Sequence, residues 1–173
     1  GYLLKGLNEI TQETCFKNVF SLLPATNLIY DLHKKFYKEY THYTIAENNI
    51  INDDIFIKKF NKSIERHLVS DVPIACLLSG GIDSSSIVLA ASYKGQNNVI
   101  CLDTTNEYAS ERYLQDYTIN NLNLNGNIIN FKPDFSKFYD LISIQEEPIT
   151  NSSEFSRLFL YENIKNLGYK VIL

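Results

Sequence analysis

An α/β fold, a parallel sheet with helices on both faces, is what this chain of 173 residues predicts. Three observations carry the prediction. Short, almost wholly apolar runs of strand length recur from Val72 onward, as expected of strands buried on both faces. Each of the first three is followed by a segment whose apolar residues recur at helical spacing, and such alternation implies parallel crossovers. The first apolar run passes into the first of these helices through a turn dense in glycine and serine, Ser79-Gly80-Gly81-Ile82-Asp83-Ser84-Ser85.

The elements follow in order. Residues 1–44 read as short strands and turns, with Val19–Pro24 and Thr26–Asp31 flanking a proline turn. Lys34–Tyr43 mixes Phe36, Tyr37, Tyr40 and Tyr43 with charges, and reads as a strand packed on a neighbour. Residues 45–52 form a polar linker. Asn52 or Asp53 then caps a helix to about Val69, with Ile57, Phe60, Ile64 and Leu68 as its buried stripe. Val72–Leu78 is the first buried strand and Ser84–Tyr93 the next helix, stopped near Gly95. Val99–Asp103 is a second strand, followed by a helix over Tyr108–Leu122 that gathers Tyr113, Leu114, Tyr117 and Asn121 near one side and ends at Gly126. Asn127–Phe131 is a third strand. Asp134 caps a helix carrying Phe135, Phe138, Leu141 and Ile142. A last helix starts near Ser152 or Ser153, carries Phe155, Leu158, Phe159 and Ile164, and stops at Gly168, before a fourth strand over Tyr169–Leu173.

Composition narrows the function classes. Hydrophobic residues make up 45% and charged residues 21%, which is ordinary for a globular protein with a sizeable core. A net charge of −4 without basic runs leaves no electrostatic footprint for nucleic acid, so no nucleic-acid partner is expected. No apolar run reaches the ~20 residues of a membrane helix, and none is expected to meet a membrane. Cys15, Cys76 and Cys101 are widely spaced, with neither zinc-site nor disulfide-framework spacing. Cys76 and Cys101 lie in apolar runs and read as core. A cytoplasmic location is the default that follows.

The glycine-rich turn carries the chemistry. Paired glycines let backbone amides face an anion without a side chain in the way, and a helix start adds unpaired N–H groups and the positive end of its dipole. Ser79, Ser84 and Ser85 add hydroxyls. Asp83 is a carboxylate that a phosphate site would not want for itself, and it makes sense as a ligand of a magnesium ion bridging to the phosphates. The turn is not a Walker A loop, for no lysine follows its glycines, nor is it a GxGxxG dinucleotide loop.

With its neighbours, this turn resembles a known family. Ser79–Ser84 is similar to the SGGxDS loop of the ATP-pyrophosphatases, and Arg66–Leu78 before it resembles the approach "RLxSDVPVGxLL" of the glutamine-dependent asparagine synthetases. Phe20–Leu28 resembles "IxxLPPGxxL" near the end of that family's glutaminase domain, and Glu146–Ser153 resembles its "DEPxxDSS". The resemblance implies a Rossmann-like ATP-pyrophosphatase fold, with residues 1–44 as the tail of a glutaminase-like domain and 53–173 as an incomplete synthetase domain. It implies ATP and magnesium as cofactors. A carboxylate, aspartate in the type enzyme, would be adenylated with release of pyrophosphate, and ammonia from glutamine would then form the amide. Ser79, Gly80, Gly81, Ser84 and Ser85 would hold the pyrophosphate end of ATP and Asp83 the magnesium. Leu77 and Leu102 would lie near the adenosine.

Departures from the family pattern are part of the expectation. Asp103 stands where the family has a small residue, and reads as a strand-end turn residue or a site carboxylate. Glu146 and Asn151 replace aspartates of "DEPxxDSS", while Glu107 and Glu111 echo acidic residues of the family. Gly1 stands in the place of the family's nucleophilic cysteine, and the second synthetase loop, "SGxGxDE", would begin after Leu173. The chain is therefore expected to be a fragment with no complete catalytic set and no glutaminase activity. Related carboxylate-adenylating enzymes, namely β-lactam synthetases, lasso-peptide cyclases and surface-sugar amidotransferases, stay open as alternatives. So do an NAD or GMP synthetase domain and a nucleotide-binding module without catalysis. A homodimer is the assembly considered.

Overall fold

A computed structural model describes residues 12–44, 52–104, 110–149 and 151–173. The chain divides into two compact units, 1–50 with 142–150, and 51–141 with 151–173.

In the first unit, β1 (Thr26–Asp31) and β2 (Phe36–Thr41) form an antiparallel hairpin in which Leu28 faces Glu39 and Tyr30 faces Tyr37. The aromatic segment is thus a strand paired with a neighbour, as its composition predicts. Asp31 accepts the amides of His33 and Lys34, an Asx turn that starts the reversal, and Lys35 completes it at φ +50°. Val19–Pro24 does not form the expected strand. Its one ladder link is a bridge from Phe20 to Glu13, and Pro24 at its end has no N–H to extend pairing.

The second unit is a four-stranded sheet with the order β5-β4-β3-β6, built of β3 (Ile74–Leu77), β4 (Asn98–Thr104), β5 (Asn125–Phe131) and β6 (Val171–Ile172). Every neighbouring pair in it is parallel. Helix α1 (Asp53–His67) precedes β3; α2 (Ile82–Ser92) joins β3 to β4 and α3 (Arg112–Leu122) leads from β4 to β5. A 3-10 turn at Phe135–Lys137, α4 (Phe138–Gln145) and α5 (Ser153–Asn166) follow β5, and α5 returns the chain to β6.

Strand periodicity sorts the core into two layers. Cys76, Leu78, Val99 and Cys101 point to one face, where Ile64 of α1 and Val88, Ala90 and Ala91 of α2 meet them. Ala75, Ile100 and Ile129 point to the other, where Leu160 and Ile164 of α5 cover them. Helices therefore lie on both faces, and each fully buried valine, leucine or isoleucine stabilises the stack by about 1.5–3 kcal/mol. The two strand cysteines are core residues, as expected. Burial pushes both thiols up, that of Cys101 to about 12.

Several boundaries differ from the sequence expectation. Ile57 is 54% exposed, so the stripe of α1 reduces to Phe60, Ile64 and Leu68. The helix ends at His67, not Val69, and Asn52 is its cap, accepting from Asp54 and Ile55. Helix α2 starts at Ile82, two residues before the expected Ser84. In α3 the predicted side of Tyr113, Leu114 and Tyr117 faces solvent, while Gln115, Ile119 and Leu122 face inward. Gly126 does not end that helix: Asn123, left-handed at φ +50°, turns the chain, and Gly126 lies inside β5. A Cβ on Gly126 would come within 2.6 Å of Ile119 Cδ1, so close packing of α3 on the sheet accounts for the glycine. All of the expected linker 45–52 but Asn52, the start of the predicted helix at Tyr108, and Glu107 lie outside the described residues.

Candidate functional site

The strand order locates a site before any side chain is considered. From β3 the chain steps outward to β4 and β5, then returns through α5 to β6 on the other side of β3. The winding direction reverses beside β3. In open α/β sheets ligands bind in the crevice beyond the strands' carboxyl ends at such a reversal. The segment leaving the carboxyl end of β3 is the Ser79–Ser85 turn.

Its conformation follows from its residues. Leu78, buried, makes the last strand bond, donating to Ile100 O at 2.9 Å. Gly80 then takes φ +100°, which side chains resist. A Cβ there would also lie 3.1 Å from Leu114 Cβ and 3.2 Å from Glu111 Cβ, so the glycine admits the start of α3. Gly81 is extended and caps α2 with no side-chain bond. The first amides of α2 have no partner within the helix, and the dipole adds positive potential there.

The serines brace this turn. Ser84 Oγ accepts from Ser79 N–H at 3.2 Å and donates to Gly81 O at 3.2 Å, and it lies 2.9 Å from Ser79 Oγ. Ser79 Oγ in turn accepts from Gly81 N–H at 3.2 Å. Two predicted site hydroxyls thus hold the loop's shape. Ser85 sits half-buried in the first turn of α2, its N–H donated to Gly81 O at 3.0 Å. Asp83 is exposed in that same turn. Among the described residues no group of three or more acidic, histidine or cysteine side chains could hold a metal by itself. A single carboxylate beside a phosphate site fits magnesium, which takes one or two carboxylates and fills its shell from phosphates and water.

The remaining predicted residues lie on several elements. Leu77 and Leu102 pack on the same sheet face, near the carboxyl ends of adjacent strands. Asp103 accepts Ser110 Oγ at 2.8 Å, and Ser110 Oγ accepts Arg112 N–H at 3.2 Å, so this carboxylate fastens the start of α3. Glu111, exposed, brings its Cβ and carbonyl oxygen, each 3.2 Å from where a Gly80 Cβ would lie, beside the turn. Arg112 Nε donates to both carboxylate oxygens of Asp116 at 2.8 Å, and that bond raises the guanidinium above its ordinary value. Asn151 Oδ1 accepts Ser153 N–H at 2.9 Å, an Asx turn just ahead of α5, whose N-cap is Ser152; a neutral side chain makes that bond as well as an aspartate. Glu146 takes φ +57° at the end of α4, its N–H bonded to Ile142 O at 2.8 Å.

One residue at the site escapes the sequence reading. Gln115 is 1% exposed and donates from Nε2 to Ser79 O and to Leu102 O, each at 3.1 Å. Its Oε1 is buried without a partner among the described residues, and an unpaired buried acceptor costs about 1–3 kcal/mol. A signal for it exists: Gln115, Ile119 and Leu122 recur at helical spacing, so a polar residue stands on an apolar stripe.

A parallel sheet with helices on both faces and a glycine-serine turn at its reversal point defines an open α/β domain, and comparison with known proteins names the family. Residues 56–173 match the model of the asparagine synthase family, and the chain belongs to it, a family of ATP-pyrophosphatase-type ligases. A Methanocaldococcus jannaschii protein provisionally named asparagine synthetase (glutamine-hydrolyzing) 2 is 33% identical over 78 residues, which are 42% of this chain and 15% of that protein. The chain thus spans a small part of that relative's length. Among solved structures, NMN synthetase from Francisella tularensis aligns at 17% identity and TM-score 0.47, over 68% of this chain and 52% of its own. NH3-dependent NAD synthetase from Campylobacter jejuni aligns at 21% identity and TM-score 0.44, over 70% and 56%.

Proposed function

We propose that this chain supplies the ATP site of an asparagine synthetase-like ligase. The observation that carries it is the position of the Ser79–Ser85 turn, at the carboxyl end of β3 where the winding reverses, in a chain of this family. The amides of Gly80 and of the first turn of α2 would receive the pyrophosphate end of ATP, with Ser85 beside them and Ser79 and Ser84 holding the turn open. Leu77 and Leu102 would flank the adenosine. Asp83 would share a magnesium ion with the phosphates, and that ion supplies charge neutralisation on the departing pyrophosphate. A substrate carboxylate oxygen attacks the α-phosphorus, the α–β bridge bond breaks, and pyrophosphate leaves with the electron pair. Backbone donors fixed in advance stabilise charge as it develops on the leaving group. Ammonia then attacks the acyl carbon, and AMP leaves to give the amide.

Aspartate as the carboxylate and glutamine as the ammonia source belong to this proposal, as does a cytoplasmic setting, which the three free cysteines favour. So does the assignment of residues 1–44 to a glutaminase-like domain and 53–173 to the synthetase domain. Pyrophosphate release from ATP, dependent on aspartate and ammonia and yielding asparagine, is the expected result in the full-length protein. Release that depends on another carboxylate would move the protein to a β-lactam synthetase-like or cyclase-like activity, and binding without turnover would make it a nucleotide-binding module. Asp83→Ala is expected to weaken ATP binding at least about tenfold in magnesium and little in its absence. Equal affinities for variant and parent in magnesium would refute the role of Asp83.

A further inference from the structure

Gln115 spends both hydrogens of its side-chain nitrogen on main-chain carbonyls, Ser79 O at the start of the glycine turn and Leu102 O near the end of β4. Both partners accept and neither donates, so the nitrogen must face them. The side chain is buried, and its oxygen has no donor among the described residues. A buried amide kept in that condition, on an otherwise apolar helix stripe, is held there by what its nitrogen does.

What the nitrogen does follows from peptide geometry. In a trans peptide the carbonyl and the next residue's N–H point in opposite directions, and no cis peptide occurs here. Gln115 draws Ser79 C=O inward, toward α3 and the core. The N–H of Gly80 is thereby turned the opposite way, away from the Gln115 side chain. The same nitrogen fixes Leu102 O on the neighbouring strand, beyond the last main-chain link of these strands, Leu78 N–H to Ile100 O. One side chain therefore sets both the direction of the Gly80 amide and the spacing between the ends of β3 and β4.

We propose that Gln115 is the positioning residue of the glycine turn, aiming the Gly80 N–H at the pyrophosphate group of ATP and holding that turn at a set distance from the adenosine side of the site at Leu102. This rests on the assignment of the turn to the pyrophosphate end of ATP. The residue touches no substrate. It acts through the Ser79–Gly80 peptide.

The structure contains its own control. Gln96, at the opposite end of the same two strands, donates from Nε2 to Ile74 O at 2.6 Å and to Asn98 O at 3.2 Å. Loss of either clamp removes two hydrogen bonds between β3 and β4, but only one of them lies at the turn.

Gln115→Met and Gln96→Met, made in the full chain, keep side-chain length and remove the donors. Binding of ATP with magnesium is read by calorimetry, and amide hydrogen exchange at Ser79–Gly81 is compared with that at Val99–Cys101. Both variants are expected to unfold at lower denaturant. Gln115→Met alone should weaken ATP binding, by about tenfold, and speed exchange at Ser79–Gly81 by a similar factor relative to Val99–Cys101. Should Gln115→Met not fold, Gln115→Glu serves. Its protonated carboxyl offers one O–H in place of two N–H groups, so protection of the turn should be intermediate and should fall as pH rises and the proton is lost. Unchanged affinity and turn exchange in the Gln115 variants, or an equal loss of affinity in Gln96→Met, would overturn the proposal. An unsubstituted chain that binds neither ATP nor pyrophosphate would instead sink the functional assignment of the turn, while the exchange comparison would still decide whether Gln115 holds it.

Discussion

Two glycines show how residue identity is decided by different forces. Gly80 lies at φ +100° with backbone and Cβ atoms about its missing side chain, so Gly80→Ala meets both strain and crowding. It is expected to cost about 1–3 kcal/mol in urea unfolding. Gly126 would place its new Cβ 2.6 Å from Ile119 Cδ1, the far end of a flexible side chain that can change rotamer. Gly126→Ala should cost less, under about 1.5 kcal/mol, and equal costs at the two sites would argue against this ranking. Both glycines are visible in the sequence, and the pair within Ser79–Ser85 was legible as a strand-to-helix turn because its residues are contiguous. The clash that explains Gly126 was not, since Ile119 reaches it only after α3 packs on β5. Asp103 falls between these cases. Its place at a strand end suited a turn residue or a site carboxylate, and the bond it accepts from Ser110 Oγ joins residues that only the fold brings together.

At the scale of elements, strands were more legible than helix faces. The apolar runs at Val72–Leu78 and Val99–Asp103 contain β3 and most of β4, because a strand buried on both faces has no polar side to misplace. Helix α3 was less legible, for the side that gathers its tyrosines is exposed and a glutamine is buried. Amphipathic spacing places apolar residues inside, and it fails where a polar group is needed to bond buried main chain. Helix starts were read from caps. Asn52 accepts Asp54 N–H at 2.9 Å, with Asp53 and Asp54 in the first turn complementing the dipole. Asn52→Ala should lower unfolding free energy by about 1 kcal/mol, and Asn52→Asp should restore it. A loss under about 0.3 kcal/mol would mean that the side chain is dispensable as a cap.

At the scale of the whole molecule, stability should carry the mark of the buried thiols. The unfolded Cys101 thiol ionises near 9.0, whereas the folded one keeps its proton to about 12 because burial penalises the thiolate. Between those values the unfolded chain binds fewer protons, so stability falls as pH rises, by at most about 1.4 kcal/mol per pH unit for each thiol. Cys76 is shifted the same way by the same cause. Urea unfolding from about pH 8 to about pH 10 should therefore decline less steeply in Cys101→Val, and identical slopes would show that the thiol does not control this window.

The order of apolar runs, helical spacings and glycine turn determined, without coordinates, an α/β fold with its loop after the first buried strand, because these signals are local and the period of a buried element is written in consecutive residues. Only the tertiary structure decided the strand order β5-β4-β3-β6, which puts the turn at the reversal point, and the clamp of Gln115 across two strand ends. Both depend on residues that are far apart in the chain, Ser79 and Gln115 or Ile74 and Val171, whose meeting is fixed by packing and by the need of buried carbonyls for donors.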